Sequence, residues 1–231
     1  MKYYAILVAG GSGSRMQNSI AKQFLLLDGK PVLMHTLEAF HQCAQNPEIL
    51  LVLNIHQHAY WEELCSTYNC SIPHQVIKGG EQRFHSVKNG LKAIKGKGIV
   101  AVHDAVRPLV SPELISKSFK VAEEQGNCVV GITPTDSIRR ILGSNKSESL
   151  NRNEVALIQT PQTFNLDILR KAYEKPFRNE FTDDASVAEY SGFEINLIEG
   201  ERQNIKITYP EDLEIASLFL GNRNTVHLGK V

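Results

Sequence analysis

Apolar runs of strand length recur along the chain with amphipathic stretches between most of them, and this alternation limits the fold more than any other feature. The runs lie at 3–8, 49–53, 99–103, 128–132, 155–159 and 195–198. Runs that are apolar on both faces are typical of strands covered on both sides, and strands that alternate with helices usually form parallel sheets. The sequence therefore predicts a three-layer α/β protein with a mostly parallel sheet. In such sheets ligands bind beyond the carboxyl ends of the strands, so the residues that follow each strand are the candidates for chemistry.

Helix signals lie between these strands. Between the second and third runs, apolar residues at 87, 91 and 94 have helical spacing. Ser111 followed by Pro112 is typical of an N-cap with proline at the first helical position. Thr208 and Glu211 have the spacing of a capping box ahead of another apolar helix pattern.

The segment 136–152 interrupts the alternation. It has a polar Gly-Ser-Asn-Lys centre at 143–146 between short flanks of strand character, so we predict a projecting β-hairpin. A lone hairpin is poorly stable, and we expect this one to pack against another body such as a second subunit. Because no repeat, low-complexity stretch or linker divides the chain, we predict one domain over 1–231 with 136–152 as a dimerisation arm.

Charge and cysteine content exclude several classes of function. Lys plus Arg and Asp plus Glu both number 25, so the molecule presents no strong overall field to nucleic acid or to an anionic membrane. Any anionic substrate must be held by locally clustered cations. No pair of the four cysteines has C-x-x-C spacing, and we expect reduced thiols. No apolar run approaches the roughly 20 residues of a membrane helix, so we expect a cytoplasmic protein.

A glycine-rich loop follows the first apolar run. Residues 8–16 read Val-Ala-Gly-Gly-Ser-Gly-Ser-Arg-Met, and glycines there let backbone N–H groups approach phosphates closely. A dinucleotide-binding fingerprint would need glycine or alanine where Met16 stands, and a Walker loop would need Gly-Lys at 15–16. The loop alone is equally consistent with a tight turn between a strand and a helix.

Two cations, Arg15 and Lys22, favour phosphate chemistry. Attack at the α-phosphorus of a nucleoside triphosphate adds negative charge to its oxygens, and preorganised Arg and Lys side chains stabilise that charge. Taken singly, either residue could be a solvated surface cation. Together, after a glycine-rich loop, they indicate a nucleotide site.

The segment 9–16, with Lys22-Gln-Phe and Gly29-Lys-Pro-Val behind it, resembles the opening of sugar-phosphate nucleotidylyltransferases. The similarity is greatest to the 2-C-methyl-D-erythritol 4-phosphate cytidylyltransferases of the non-mevalonate isoprenoid pathway, and it continues in order along nearly the whole chain. The further matching blocks are Gly-Gly-Glu-Gln-Arg-Phe-His-Ser-Val at 79–87, His-Asp-Ala-Val-Arg-Pro at 103–108, Gln-Thr-Pro-Gln at 159–162, Thr-Asp-Asp-Ala-Ser at 182–186 and Asn-Ile-Lys-Ile-Thr at 204–208.

The resemblance implies a Rossmann-like nucleotidyltransferase fold, Mg²⁺ as cofactor, and a homodimer whose arms interlock. It implies that Arg15 and Lys22 stabilise charge at the α-phosphate, while Arg152, from the neighbouring subunit, and Lys206 position the incoming sugar phosphate. The nucleotide-binding residues would be Ala9, Gly10, Gly11, Gly13, Gly79, Gly80, Ser86 and Asp104. The residues that bind the sugar phosphate would be Arg107, Ser137, Thr160 and Thr182.

Alternatives remain at several positions. Ser86 could be an ordinary hydroxyl at a helix start, and Asp104 could pair with Arg107 for structure alone. Ala21 stands where the family often has proline, and Ser137 where it commonly has threonine. Two other functions compete: ribitol 5-phosphate cytidylyltransferase, which has a very similar opening, and a nucleotide-binding regulator without activity.

Overall fold

A computed structural model of the chain describes residues 1–9 and 20–226. The strands in these ranges are β1 Tyr3–Val8, β2 Leu26–Leu27, β3 Lys30–Pro31, β4 Glu48–Leu53, β5 Gln75–Lys78, β6 Ile99–Asp104, β7 Asn127–Ile132, β8 Ile138–Gly143, β9 Lys146–Leu150, β10 Leu157–Asn165 and β11 Leu197–Glu199. The α-helices are α1 Val32–Gln42, α2 His58–Thr67, α3 Arg83–Ala93, α4 Pro112–Gln125, α5 Leu166–Ala172, α6 Asp184–Tyr190 and α7 Pro210–Val226. Short 3-10 helices lie at Lys22–Phe24, Ile55–Gln57 and Arg152–Glu154.

Seven strands form the central sheet in the order β11-β7-β10-β6-β1-β4-β5. Strand β1 is parallel to β4 and β6, β4 is parallel to β5, and β7 is parallel to β11. Strand β10 runs antiparallel to both of its neighbours, β6 and β7. The predicted mostly parallel α/β sheet is confirmed, with one reversed strand near its centre.

The two faces of the sheet bury separate apolar clusters, which gives the three layers. Along β1, Ala5 and Leu7 pack into the cluster that contains α1, α2 and α4. Tyr4 and Ile6 pack into the opposite cluster, which contains α3, α5 and α6. A third, smaller cluster joins Ile207 to the first turn of α1 and to α7.

Four of the six predicted strands match the structure to within one residue, namely β1, β4, β6 and β7. Strand β11 begins two residues later than expected. Strand β10, predicted at 155–159, instead runs from Leu157 to Asn165. Its second half is buried yet rich in polar residues, and the side chains of Gln162 and Thr163 bond to Asp183 and Ser118 outside the strand. Hydrophobic pattern alone does not indicate such a strand.

One predicted helix cap is confirmed and one is wrong. The Ser111 hydroxyl accepts a hydrogen bond from the N–H of Leu114 (3.0 Å), and α4 begins at Pro112. At α7 the acceptor is Asp212, whose carboxylate receives the N–H groups of Thr208 and Tyr209 (2.7 and 2.8 Å). The capping box expected at Thr208 does not form because Pro210 is the first helical residue, which moves the cap by one position.

The predicted hairpin is present as β8 and β9, which form a two-stranded sheet of their own. Its turn residues Ser144 and Asn145 both have positive φ (44° and 62°), as a tight hairpin turn requires. Ile141 and Leu142 near the tip are 82% and 56% exposed. The hairpin therefore carries apolar side chains that this chain leaves in solvent, whereas its role in dimerisation stays a prediction.

No helix within the described ranges is long and apolar enough to cross a membrane. The four cysteines are free thiols, as expected; Cys43 and Cys128 are buried and Cys65 and Cys70 partly so. Burial raises the pKa of Cys128 to about 12, so its thiol is protonated at neutral pH.

Candidate active site at the carboxyl edge of the sheet

A polar cleft of about 230 Å³ lies where β6 ends and β10 begins. The antiparallel direction of β10 places its first residues at the same edge of the sheet as the last residue of β6, Asp104. The loop before α6 and the segment 204–208 close the remaining sides. The described residues that line the cleft are Arg83, Asp104, Arg107, Ile158, Gln159, Thr160, Gln162, Thr182, Asp183 and Lys206.

The carboxylate of Asp104 is the centre of the charged groups in this cleft. Its Oδ2 lies 2.8 Å from Lys206 Nζ and 3.7 Å from Arg107 Nε, and its Oδ1 lies 3.4 Å from Arg83 Nε. Burial alone would raise the pKa of Asp104. Arg83, Lys206 and Arg107 oppose this effect and hold the pKa well below its usual range, so Asp104 is ionised. The pairing of Asp104 with Arg107 is thus real, but Asp104 also faces the cleft.

A hydrogen bond to a backbone carbonyl fixes the direction of the Arg107 side chain. Its Nη1 donates to the carbonyl of Asn204 (2.8 Å), and only 11% of its side chain is exposed. His103 Nε2 lies 3.4 Å from the carbonyl of Arg107, within the same turn. Burial lowers the pKa of His103 to about 3, so its ring is neutral and adds no charge to the cleft.

The segment 204–208 is tied to two distant parts of the chain. Lys22 Nζ, on a side chain only 9% exposed, donates to the carbonyl of Ile207 (2.9 Å), and the N–H of Ile207 donates to the carbonyl of Val106 (2.8 Å). Asn204 Nδ2 donates to the carbonyl of Thr160 (2.8 Å). These bonds place Lys22 beside the backbone that carries Lys206, although Lys22 is not among the described residues that line the cleft.

The structure brings together some of the predicted sugar-phosphate residues and not others. Thr160 lines the cleft, and its hydroxyl accepts a hydrogen bond from the N–H of Asp104 (3.1 Å); Thr182 also lines the cleft and is exposed. Ser137 is exposed just before the hairpin. Arg152 lies at the hairpin base and donates to the carbonyl of Thr135 (2.5 Å). Neither Ser137 nor Arg152 is among the described residues that line the cleft of their own chain.

The predicted cytosine and ribose segment shows internal packing that explains part of its sequence. The N–H of Gly79 donates to the carbonyl of Leu53 (2.7 Å), and the N–H of Gly80 donates to the Ser86 hydroxyl (3.0 Å). A Cβ on Gly80 would lie 2.3 Å from the Cβ of His85, so this glycine is required for packing on α3. Ser86 is thus a hydroxyl at a helix start, and its contact with a nucleotide stays a prediction.

The predicted glycine-rich loop falls almost wholly outside the described residues. This applies to Gly10, Gly11, Gly13 and Arg15. Ala9, at its start, is buried; its N–H donates to the carbonyl of Val52 (2.9 Å) and its carbonyl accepts from Gln23 Nε2 (2.9 Å). Ala9 therefore lies beside β4.

The sequence does not predict a role for Arg83, which lines the cleft, or for Asp184 and Tyr173, which lie behind it. Arg83 Nη2 donates to Asp184 Oδ2 (2.6 Å), and the hydroxyl of Tyr173 donates to Asp184 Oδ1 (2.6 Å). Arg83 and Asp184 both lie in segments that resemble the family, and this resemblance is the sequence feature that could have identified them. Tyr173 has no such feature, since a tyrosine at a helix end is ordinary in sequence.

The cleft offers little to a metal ion by itself. The described residues contain no group of three or more His, Cys, Asp or Glu side chains able to hold a metal. Asp104 is nevertheless a carboxylate at the cleft, and Mg²⁺ commonly binds one or two carboxylates together with substrate phosphates. The residues fit a magnesium ion that is carried mainly by a nucleotide.

The chemistry of the lining indicates binding of anions rather than covalent catalysis. Three cations, Arg83, Arg107 and Lys206, surround one cleft carboxylate. The described lining residues include no Cys, Ser or His that could form a nucleophile and base pair. Catalysis by positioning and charge stabilisation is what such a lining can provide.

Comparison with known proteins identifies the family of this chain. The family profile of 2-C-methyl-D-erythritol 4-phosphate cytidylyltransferase matches residues 3–222. Proteins of that name from Bacteroides fragilis and Azobacteroides pseudotrichonymphae are 48% and 49% identical; each comparison covers 94% of this chain and 98% of the relative. The crystal structure of a 4-diphosphocytidyl-2C-methyl-D-erythritol synthase from Anaerococcus prevotii has a TM-score of 0.82 at 28% identity, covering 95% of this chain and 96% of that chain.

The cytidylyltransferase structure from Thermus thermophilus has a TM-score of 0.77 at 28% identity, covering 95% of this chain and 98% of that chain. The match of the family profile extends over nearly the whole chain and includes every described residue of the cleft. The chain belongs to the 2-C-methyl-D-erythritol 4-phosphate cytidylyltransferase family.

Proposed function

We propose that this protein transfers CMP from CTP to 2-C-methyl-D-erythritol 4-phosphate, giving 4-diphosphocytidyl-2-C-methyl-D-erythritol and pyrophosphate. The observation that carries the proposal is the cluster of Arg83, Arg107 and Lys206 around Asp104 at the carboxyl edge of the sheet. Family membership supplies the identities of the nucleotide and the acceptor. It also favours an active enzyme over a regulator, and the erythritol acceptor over ribitol 5-phosphate.

In the reaction, an oxygen of the sugar phosphate attacks the α-phosphorus of CTP. A new P–O bond forms there, the bond from the α-phosphorus to the bridging oxygen of the β-phosphate breaks, and pyrophosphate leaves with that oxygen. The attacking phosphate is already ionised near pH 7, so no general base is needed. The remaining requirements are alignment of the sugar phosphate with the α-phosphate of CTP and stabilisation of the negative charge that develops on the α-phosphate oxygens.

The described residues divide this work. Lys22 stabilises charge at the α-phosphate together with Arg15. Arg107 and Lys206 hold the acceptor phosphate; Lys206 is 40% exposed and has donors to spare after its contact with Asp104. Asp104 orients both cations and faces the nucleotide. Thr160 fixes the backbone of Asp104 from β10.

Magnesium accompanies CTP in this proposal, and Asp104 would hold it. When bound, the ion neutralises triphosphate oxygens and favours departure of pyrophosphate. Asp104 is ionised, as a magnesium ligand must be, and the triphosphate would supply most of the coordination because both Asp104 oxygens also contact cationic side chains.

The protein acts as a homodimer in the cytoplasm, with the hairpin 136–152 as the contact between subunits. Support comes from the exposed apolar side chains of Ile141 and Leu142, and from the position of Arg152 outside the cleft lining of its own chain. Arg152 then reaches the acceptor phosphate of the neighbouring subunit.

Mixing inactive Lys22→Ala and Arg152→Ala chains tests whether Arg152 acts in the neighbouring subunit. After subunit exchange, heterodimers contain one intact site, and about a quarter of wild-type activity should return, by the symmetry of an isologous dimer. If exchange is demonstrated and no activity returns, Arg152 acts within its own chain.

The activity itself is tested by pyrophosphate release. CTP should be used at least ~10²-fold better than UTP or ATP, and the erythritol phosphate better than ribitol 5-phosphate. Lys206→Met, which removes the charge but keeps the side-chain length, should raise the KM for the sugar phosphate. Lys97→Met, at a site where the lysine side chain is 88% exposed, is the matched control and should leave it unchanged. Equal use of CTP and UTP would refute the assignment.

A further inference from the structure

A chain of polar contacts runs from the protein interior to the cleft. Tyr173 donates to Asp184 (2.6 Å), Asp184 accepts from Arg83 (2.6 Å), and Arg83 Nε lies 3.4 Å from Asp104. Asp184 is fully buried, Tyr173 is 2% exposed, and the Arg83 side chain is 27% exposed at the cleft. The buried pair Tyr173 and Asp184 is thus connected to Arg83, whose side chain reaches solvent at the cleft.

Both oxygens of Asp184 are occupied by strong donors, so its carboxylate has one orientation. The hydroxyl of Tyr173 stays a donor because burial and then the charge of Asp184 raise its pKa well above 10. The Tyr173 ring is itself held by stacking on Phe84, with centroids 4.6 Å apart. A buried, charge-assisted pair of this kind holds the Arg83 guanidinium in place through Nη2.

Arg83 contacts two carboxylates at once, Asp184 through Nη2 and Asp104 through Nε. Asp184 holds Nη2, and this leaves Nε directed at Asp104. Of the three cations around Asp104, Arg83 is the one that approaches Oδ1, whereas Lys206 and Arg107 approach Oδ2. Without Arg83, Oδ1 of Asp104 would lose its charged partner, and the carboxylate would be held only through the contacts of Oδ2 with Lys206 and Arg107.

We propose that Arg83, held by Asp184 and Tyr173, is a positioning residue that orients Asp104 and, through it, the two cations that receive the acceptor phosphate. This inference rests on the proposed function, because it takes Arg107 and Lys206 as the phosphate ligands. If the ion pair of Arg83 and Asp184 only stabilised the fold, Arg83 would not need to lie at the cleft. Arg83 does reach it and lines it.

Tyr173→Phe tests the inference at the residue farthest from the cleft, and it keeps the ring that stacks on Phe84. It should lower kcat/KM for the sugar phosphate by about 5- to 10-fold while the KM for CTP stays within about twofold. Tyr4→Phe is the matched control: Tyr4 is 1% exposed, and its hydroxyl donates to the carbonyl of Lys95 (3.2 Å). It should change thermal stability by a comparable amount and leave both kinetic constants unchanged.

A double-mutant cycle shows whether Tyr173 acts through Arg83. Arg83→Gln should lower kcat/KM by at least ~10²-fold, Arg83→Lys should recover part of this, and adding Tyr173→Phe to Arg83→Gln should cost less than about twofold more. Additive effects of the two substitutions in an active enzyme would overturn the positioning role.

The Arg83 Nε–H resonance gives a readout that does not depend on turnover. In the nitrogen-proton NMR spectrum it should exchange slowly with water in the wild-type protein and in Tyr4→Phe, and rapidly in Tyr173→Phe. Rapid exchange already in the wild type would also overturn the inference. A wild-type protein that uses neither sugar phosphate would instead refute the proposed function.

Discussion

Replacing Asp104 by asparagine should destabilise the folded protein, because it removes the carboxylate that separates Arg83, Arg107 and Lys206 from one another. Losing one partner of a fully buried charged cluster typically costs about 3–5 kcal/mol. Here Lys206 and Arg83 expose 40% and 27% of their side chains, whereas Asp104 and Arg107 expose 11% each. Solvent screens the two more exposed charges, so we expect a loss of about 2 kcal/mol at pH 7.

The pH dependence of this loss follows from the depressed pKa of Asp104. A carboxyl whose pKa is lower in the folded state contributes stability that is complete above its unfolded pKa of about 3.9 and is lost as pH falls towards the folded pKa. The difference between wild type and Asp104→Asn should therefore be constant from pH 8 to pH 5. At pH 3.5 it should be smaller by about 0.7 kcal/mol, because most unfolded-state carboxyls are then protonated.

Urea unfolding followed by circular dichroism at pH 7 and pH 3.5 measures both quantities. Asp167→Asn is the matched control, because Asp167 forms an exposed pair with Lys97 at 4.0 Å and should change stability by less than about 0.5 kcal/mol. If Asp104→Asn is as stable as the wild type at pH 7, or if its deficit is the same at both pH values, the carboxylate does not hold the cations together as described.

Lys22→Ala should lower kcat by about 10²-fold or more, because Lys22 acts on charge that appears in the transition state, and pyrophosphate release under saturating substrates measures it. Normal turnover of that variant would contradict the mechanism. Gly80→Ala should destabilise the protein by roughly 1–3 kcal/mol in urea unfolding, since the new Cβ would lie 2.3 Å from that of His85. Gly79→Ala, with a nearest contact of 3.1 Å to the Leu53 carbonyl, should cost less, and the reverse order would count against this packing. Excess chelator should abolish turnover and added Mg²⁺ should restore it; full activity in chelator would exclude a metal requirement.

The fold could be predicted from sequence wherever apolar pattern controls it. The strands β1, β4, β6 and β7 are continuous apolar runs, and their positions were predicted to within one residue. The limits of β10 were not predicted, because its buried half is polar and its side chains are satisfied by other elements, as when Thr163 donates to Ser118 (3.0 Å). Strand β5 was missed because it is a four-residue strand at the sheet edge, where no strong apolar signal is required.

Part of the site could be predicted from family resemblance rather than from the apolar pattern. Asp104, Arg107 and Lys206 were assigned from family resemblance, and the structure brings them within ion-pair distance of one another's charges, with both cations on Asp104. Arg83 and Asp184 are 101 positions apart, and their contact depends on how α3 and α6 dock on the sheet. No local sequence pattern predicts that contact, so the role of Arg83 could be inferred only from the structure.

The hydrogen bond from Lys22 to the carbonyl of Ile207 joins positions 185 residues apart. A ribosome adds about 5–20 residues per second, so roughly 10 to 40 s separate the synthesis of these two residues. During that interval the segment that carries Lys206 has not yet been made. Nascent chains therefore lack the assembled cleft until residue 207 has been made, and fragments that end before residue 207 should be unable to complete it.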